Sequence, residues 1–139
     1  MFLNPNIMKI IIVSLLLIIA IISCSTIDED CMCTEEYRFF LVTVVDTLGL
    51  PVDSLDVTIR DKDGDELDVL QESHPFGPGK YTVLNDSYTQ MFCACGTVQK
   101  VYFSATDRNR IAAGEFLFNT DECKCHINKV EGPDTLVLR

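Results

Sequence analysis

Tryptophan is absent from the 139 residues, and histidine nearly so, with only His74 and His126. Without indole rings, aliphatic side chains and the eight phenylalanines must fill the interior of any fold. Two histidines allow only a sparse acid–base apparatus, and the chain contains no G-x-S-x-G nucleophile elbow. A phosphate-cradling glycine loop is missing too. Positive charge is scarce: 11 Lys and Arg stand against 21 Asp and Glu, a formal charge of −10. Such a chain repels nucleic acid and anionic lipid, which makes both poor partners. Long blocks of like charge are also absent, so the acidity reads as a solvated surface rather than a tail. No stretch carries the periodicity of an amphipathic helix. The length suits a single domain.

Hydrophobic residues, in contrast, crowd the N-terminus. Ile10 to Ile22 reads "IIIVSLLLIIAII", in which Ser14 is the only polar residue. The run is shorter than the roughly 18–20 apolar residues that span a bilayer. Preceded by Lys9, it matches the h-region of a secretion signal, predicted over residues 1–23. Met8 opens a compact signal by itself, so either Met1 or Met8 serves as the start.

The run ends in "IISC", which resembles a bacterial lipobox: Ser23 is the small residue before a cysteine that is acylated and becomes residue one. The resemblance implies a lipoprotein held to the membrane by acyl chains such as palmitate on Cys24. Each buried CH₂ of those chains contributes about 0.8 kcal/mol to anchoring. The following "STIDED" resembles the surface-export signals of Bacteroidetes-type lipoproteins. Residues 24–36 are therefore expected to be the lipidated cysteine and an acidic tether. The expected location is the outer membrane, lipid-anchored, with both faces open and the cell surface favoured.

Setting Cys24 apart turns seven cysteines into six. They fall in three motifs of one spacing: Cys31-Met32-Cys33, Cys93-Ala94-Cys95 and Cys123-Lys124-Cys125. Beyond the inner membrane thiols oxidise, so disulfides are expected. Residues i and i+2 of a strand lie about 6.6 Å apart, too far for a relaxed bridge within one motif. If no motif closes on itself, each sends one bridge to each of the others, a triangle. If one motif self-closes or stays reduced, two antiparallel motifs pair as Cys93–Cys125 and Cys95–Cys123. The alternative is a metal site of Cys93, Cys95, Cys123, Cys125 and His126, although structural zinc usually spaces its cysteines more widely. A thiol nucleophile needs a reduced, activated cysteine, which paired cysteines disfavour.

Beyond the tether, residues 37–139 read as strands divided by turns. Strands are predicted at 38–46, 55–60, 67–70, 80–84, 99–107, 110–119 and 134–139. "LVTVVDTLGLPVDSLDVTIRDKDGD", then "GPGKYTV", then "VYFSATD" resemble transthyretin-like or carboxypeptidase-regulatory-like domains, and "CHINKVEGPDTLVL" resembles the end of lipoproteins that carry one. Gly49, Pro51, Gly64 and Gly79 fit as turn-makers. The resemblance implies an all-β fold, a Greek-key β-sandwich of seven to eight strands (transthyretin-like or Ig-like). It also implies an accessory or binding module rather than an enzyme, and brings no functional residues.

Three further features have chemistry to offer. "DKDGDELD" places Asp61, Asp63 and Asp65 as hard oxygen ligands for calcium, with Glu66 and Asp68 beside them, but its glycine is misplaced for an EF-hand and Asp63-Gly64 suits a hairpin turn. Tyr37, Tyr81, Tyr88 and Tyr102 could line a carbohydrate- or peptide-binding face. Asp46-Thr47-Leu48, Asp53-Ser54-Leu55 and Asp134-Thr135-Leu136 resemble O-glycosylation acceptors of Bacteroidetes envelope proteins. The expected function is a non-enzymatic envelope lipoprotein that binds a protein or glycan, with no cofactor, nucleic acid or catalytic residue.

Overall fold

A computed structural model describes residues 31–71, 76–92 and 96–139. The signal segment 1–23, Cys24, the first part of the tether, His74, Cys93 and Cys95 lie outside the described residues. Seven strands are described: β1 (Phe39–Val45), β2 (Asp56–Asp61), β3 (Lys80–Asn85), β4 (Gln99–Thr106), β5 (Ile111–Thr120), β6 (Ile127–Glu131) and β7 (Thr135–Val137). They form two sheets, ordered β3-β1-β7 and β2-β4-β5-β6. The result is an all-β, sandwich-like body, as expected from the alternating pattern.

The pattern determines which side chains meet between the sheets. Val42 and Val44 of β1 point inward with Val83 of β3, towards Ile59, Val101, Phe103, Phe116 and Phe118 of the other sheet. Register keeps these residues level: Ile59 pairs with Phe103, and Val101 with Phe116. The phenylalanines do take the place of the missing indoles, with Phe103 and Phe116 edge-on at 6.3 Å and Phe116 stacked on Phe118. β1 lies antiparallel to β3 and parallel to β7.

Turn chemistry agrees with the sequence at its key points. Asp46 accepts the Leu48 and Leu50 amides at 2.8 and 2.9 Å, shaping the bend that includes Gly49. Gly79 adopts φ +67, and a Cβ there would lie 2.8 Å from both the Pro51 Cβ and the Val44 carbonyl oxygen.

Two segments depart from expectation. The strand predicted at 67–70 does not form. The Val69 amide turns back to the Leu67 carbonyl at 2.9 Å, and Gln71 then bonds β3 through its side chain. β6, which was not predicted, pairs with the end of β5. Its burial is confined to one end, so it lacks the alternation that marks a strand. A short 3₁₀ turn, Asp86–Met91, follows β3 and is capped by the Asn85 side chain accepting the Ser87 amide.

Candidate functional site

The four described cysteines converge where the N-terminal segment meets the β5–β6 connection. Cys31 bridges Cys123 and Cys33 bridges Cys125, with a Cα–Cα distance of 5.4 Å in each case. Both bridges thus join the same two motifs, which overturns the triangle and the pairing of Cys93 and Cys95 with Cys125 and Cys123. The triangle neglected a simpler arrangement, two C-x-C segments side by side in one direction with each cysteine facing its counterpart. Lys124 adopts φ +54 between its two cysteines. Asp121 secures the turn: its carboxylate accepts the Cys125 and His126 amides at 2.8 and 3.2 Å, and its carbonyl accepts the Lys124 amide at 3.1 Å.

Beneath the bridges lies a buried polar group. His126 Nδ1 is 2.8 Å from Asp86 Oδ2, and His126 Nε2 is 2.8 Å from Thr34 Oγ1. Asp86 also accepts the Arg38 amide at 2.9 Å and the Ile127 amide at 2.8 Å. Burial alone would raise this carboxyl, but the bonds from His126, Ile127 and Arg38 outweigh it and hold the pKa below its ordinary value. The Arg38 guanidinium reaches Asn128 of β6 at 2.7 Å. Covalent and polar links together therefore clamp residues 31–38 onto one corner of the sandwich.

The clamp borders a cavity of about 370 Å³ lined by Met32, Cys33, Thr34, Cys123, Cys125 and His126, among others. Thr34, His126 and Asp86 stand in the order hydroxyl, imidazole, carboxylate, the order of a nucleophilic relay. The adjoining turn cannot complete it. Its Lys124, Cys125 and His126 amides are all bonded to Asp121, so none can hold a developing oxyanion. What the group does in the fold is clasp the N-terminal segment to the sandwich.

The alternative metal set does not survive. Cys123 and Cys125 have no thiolate to donate, and both nitrogens of His126 are engaged. The calcium candidates serve the turn instead: Asp61 accepts the Asp63 and Asp65 amides at 2.9 and 3.0 Å, and Asp63 pairs with Lys62. Among the described residues, no group of three or more His, Cys, Asp or Glu could hold a metal ion. No described helix is long and apolar enough to cross a membrane.

The tyrosines separate. Tyr81 is buried, donating to the Val52 carbonyl at 2.8 Å and accepting the Leu55 amide at 3.2 Å. Tyr102 is exposed on β4 beside Lys100. Tyr37 and Tyr88 share a cleft. Thr47, Ser54 and Thr135 of the Asp-Ser/Thr-Leu triplets are all exposed. Thr34, Arg38 and Asp86 were not singled out from sequence, since nothing local marks a lone threonine, arginine or aspartate as part of a distant cluster. No family model, curated protein or solved structure matches the chain.

Proposed function

We propose that the protein is a non-enzymatic envelope lipoprotein, anchored through acylated Cys24, that presents a transthyretin-like, carboxypeptidase-regulatory-like sandwich to a protein or glycan partner. The observation that carries this reading is the division of the cysteines. Cys31, Cys33, Cys123 and Cys125 are joined in two bridges, which suits an oxidising compartment. Cys24 stands apart at the end of a signal-like run.

The clasp gives the anchor a mechanical role. Cys24 and Cys31 are seven residues apart in sequence, a reach of at most about 25 Å. The sandwich is therefore held close to the lipid surface of the outer membrane. Force arriving along the tether enters at Cys31 and Cys33 and passes through covalent bonds into the β5–β6 corner. It does not peel β1 from its sheet.

The test is expression in a bacterium with an outer membrane, followed by fractionation. The native chain sediments with outer membrane and carries acyl mass on its first residue, whereas Cys24→Ala leaves the membrane fraction. Native chain recovered without acyl mass would overturn the proposal.

A further inference from the structure

We propose that the cleft at the end of the β3-β1-β7 sheet, floored by Asn85 and walled by Tyr37, Phe39 and Tyr88, is a binding site for a neutral saccharide. This deepens the partner reading above and rests on it. The cleft holds about 320 Å³, at the lower end of the range of small-molecule sites. Its walls are aromatic. Tyr37 and Phe39 have ring centroids 4.9 Å apart, and Phe76 continues the series at 5.2 Å from Phe39. Tyr37 and Phe39 remain 48% and 38% exposed, so part of each ring meets solvent. The negative face of an aromatic ring attracts the polarised C–H groups of a pyranose.

The polar groups are few and held in place. Tyr37 Oη donates to Asn85 Oδ1 at 2.9 Å and also meets Ser87 Oγ, while the Ser87 amide donates to the same Asn85 oxygen at 3.0 Å. These bonds fix the Asn85 amide with its oxygen spent. Asn85 is only 7% exposed, yet its Nδ2 meets no acceptor among the described residues. Its two donor hydrogens are therefore free to reach an acceptor on a ligand in the cleft. Asp68 lies on the rim, exposed, and takes no hydrogen bond from any described residue. It stands close enough to Tyr88 to help burial push that phenol above 10.0. Donor amide, acceptor carboxylate and hydroxyls around an aromatic wall match the alternating hydroxyls of a sugar ring.

The same residues disfavour other occupants. Among the described residues no Lys, Arg or His lines the cleft, and Asp68 would repel an anionic ligand. An extended peptide adding to β3 would find Thr82 already occupied. The Gln71 side chain donates to the Thr82 carbonyl at 2.8 Å and accepts the Thr82 amide at 2.9 Å, as a neighbouring strand would.

The experiment titrates the full chain in detergent with cello-, malto-, xylo-, manno- and chito-oligosaccharides, followed by calorimetry. At least one is expected to bind with a Kd below about 1 mM. Tyr37→Ala and Asp68→Ala should each weaken that binding at least about tenfold, with Tyr102→Ala on the other sheet unchanged. Asp68 is exposed and unbonded, so its variant carries the test even if Tyr37→Ala fails to fold. Absence of binding to all five, or equal loss in Tyr102→Ala, would overturn the proposal, as would binding only to an extended peptide. Acyl mass on Cys24 is read separately. A lipidated chain that ignores every saccharide refutes the cleft alone, and an unlipidated chain that binds one refutes the anchor alone.

Discussion

His126 and Asp86 meet through Nδ1 and Oδ2 at 2.8 Å, with side chains only 8% and 6% exposed. They are 40 residues apart in sequence, and their pairing joins the segment after β3 to the start of β6. The Arg38 amide reaches the same carboxylate oxygen, so one buried anion organises three parts of the chain. Its partner His126 lines the same cavity as the bridged Cys33, Cys123 and Cys125.

Asp86→Asn tests that role. It should cost about 3 kcal/mol at pH 7, since bonds to a charged acceptor are the strong ones. The folded pKa lies below its ordinary 3.8, so the contribution is complete above that value and is lost as pH falls through the folded pKa. Denaturant unfolding between pH 7 and pH 2.5 should show a shallower acid loss in Asp86→Asn than in the native chain. Some slope will remain from Asp107 and Asp134, which Arg110 and Lys129 also hold low.

The bridges should be strongly non-additive. Each closes a sequence separation of 92, for which chain entropy gives roughly 4.6 kcal/mol. Once one has formed, the other closes a ring of only a few residues and adds roughly 2 kcal/mol. Cys31→Ala/Cys123→Ala and Cys33→Ala/Cys125→Ala should therefore each cost about 2 kcal/mol, and removal of all four cysteines about 6–7 kcal/mol. Urea titration of the three variants measures this; a total equal to the sum of the pairs would contradict it.

Gln71 protects the edge of β3. Gln71→Ala leaves the Thr82 amide and carbonyl, at a residue only 3% exposed, without their partner. A loss of about 2 kcal/mol follows from the unmet groups. An uncovered strand edge also promotes association, so light scattering should show concentration-dependent growth that the native chain lacks.

Gly79 is irreplaceable on geometric grounds. At φ +67, an alanine Cβ would press on the Pro51 side chain and the Val44 carbonyl. Gly79→Ala should lower stability by about 2–4 kcal/mol, whereas Gly64→Ala, with nothing within 4 Å of its new Cβ, should cost less because only backbone strain is added. Thermal unfolding of the pair ranks them.

Much of the sandwich was legible because its strands alternate. Val42 and Val44, or Val101, Phe103 and Ala105, declare an inward face by period alone. β6 was not, since Ile127 is its one buried residue and it is held by pairing with β5 and by Arg38 bonding Asn128. The 67–70 error has the opposite cause: a plausible pattern was overruled by a tight turn and a side chain standing in for a strand. At the clasp, the oxidised state of Cys31, Cys33, Cys123 and Cys125 agrees with the expectation drawn from their spacing and an expected oxidising compartment. Which partners they chose depended on how the N-terminal segment runs past the β5–β6 turn, and local sequence holds no record of that. In the sequence His126 reads as a metal ligand or, with the cysteines oxidised, as a half-buried hydrogen-bonding residue; the second holds, and its partners, Asp86 and Thr34, are brought to it by the fold.

The most direct test is mass spectrometry of native protein purified from bacterial envelopes, digested without reductant. The account predicts a first peptide beginning at acylated Cys24, and a cross-linked species joining residues 31–33 to 123–125 that separates only on reduction. A mature chain that still carries residues 1–23, or Cys31 and Cys33 recovered as free thiols, would contradict it.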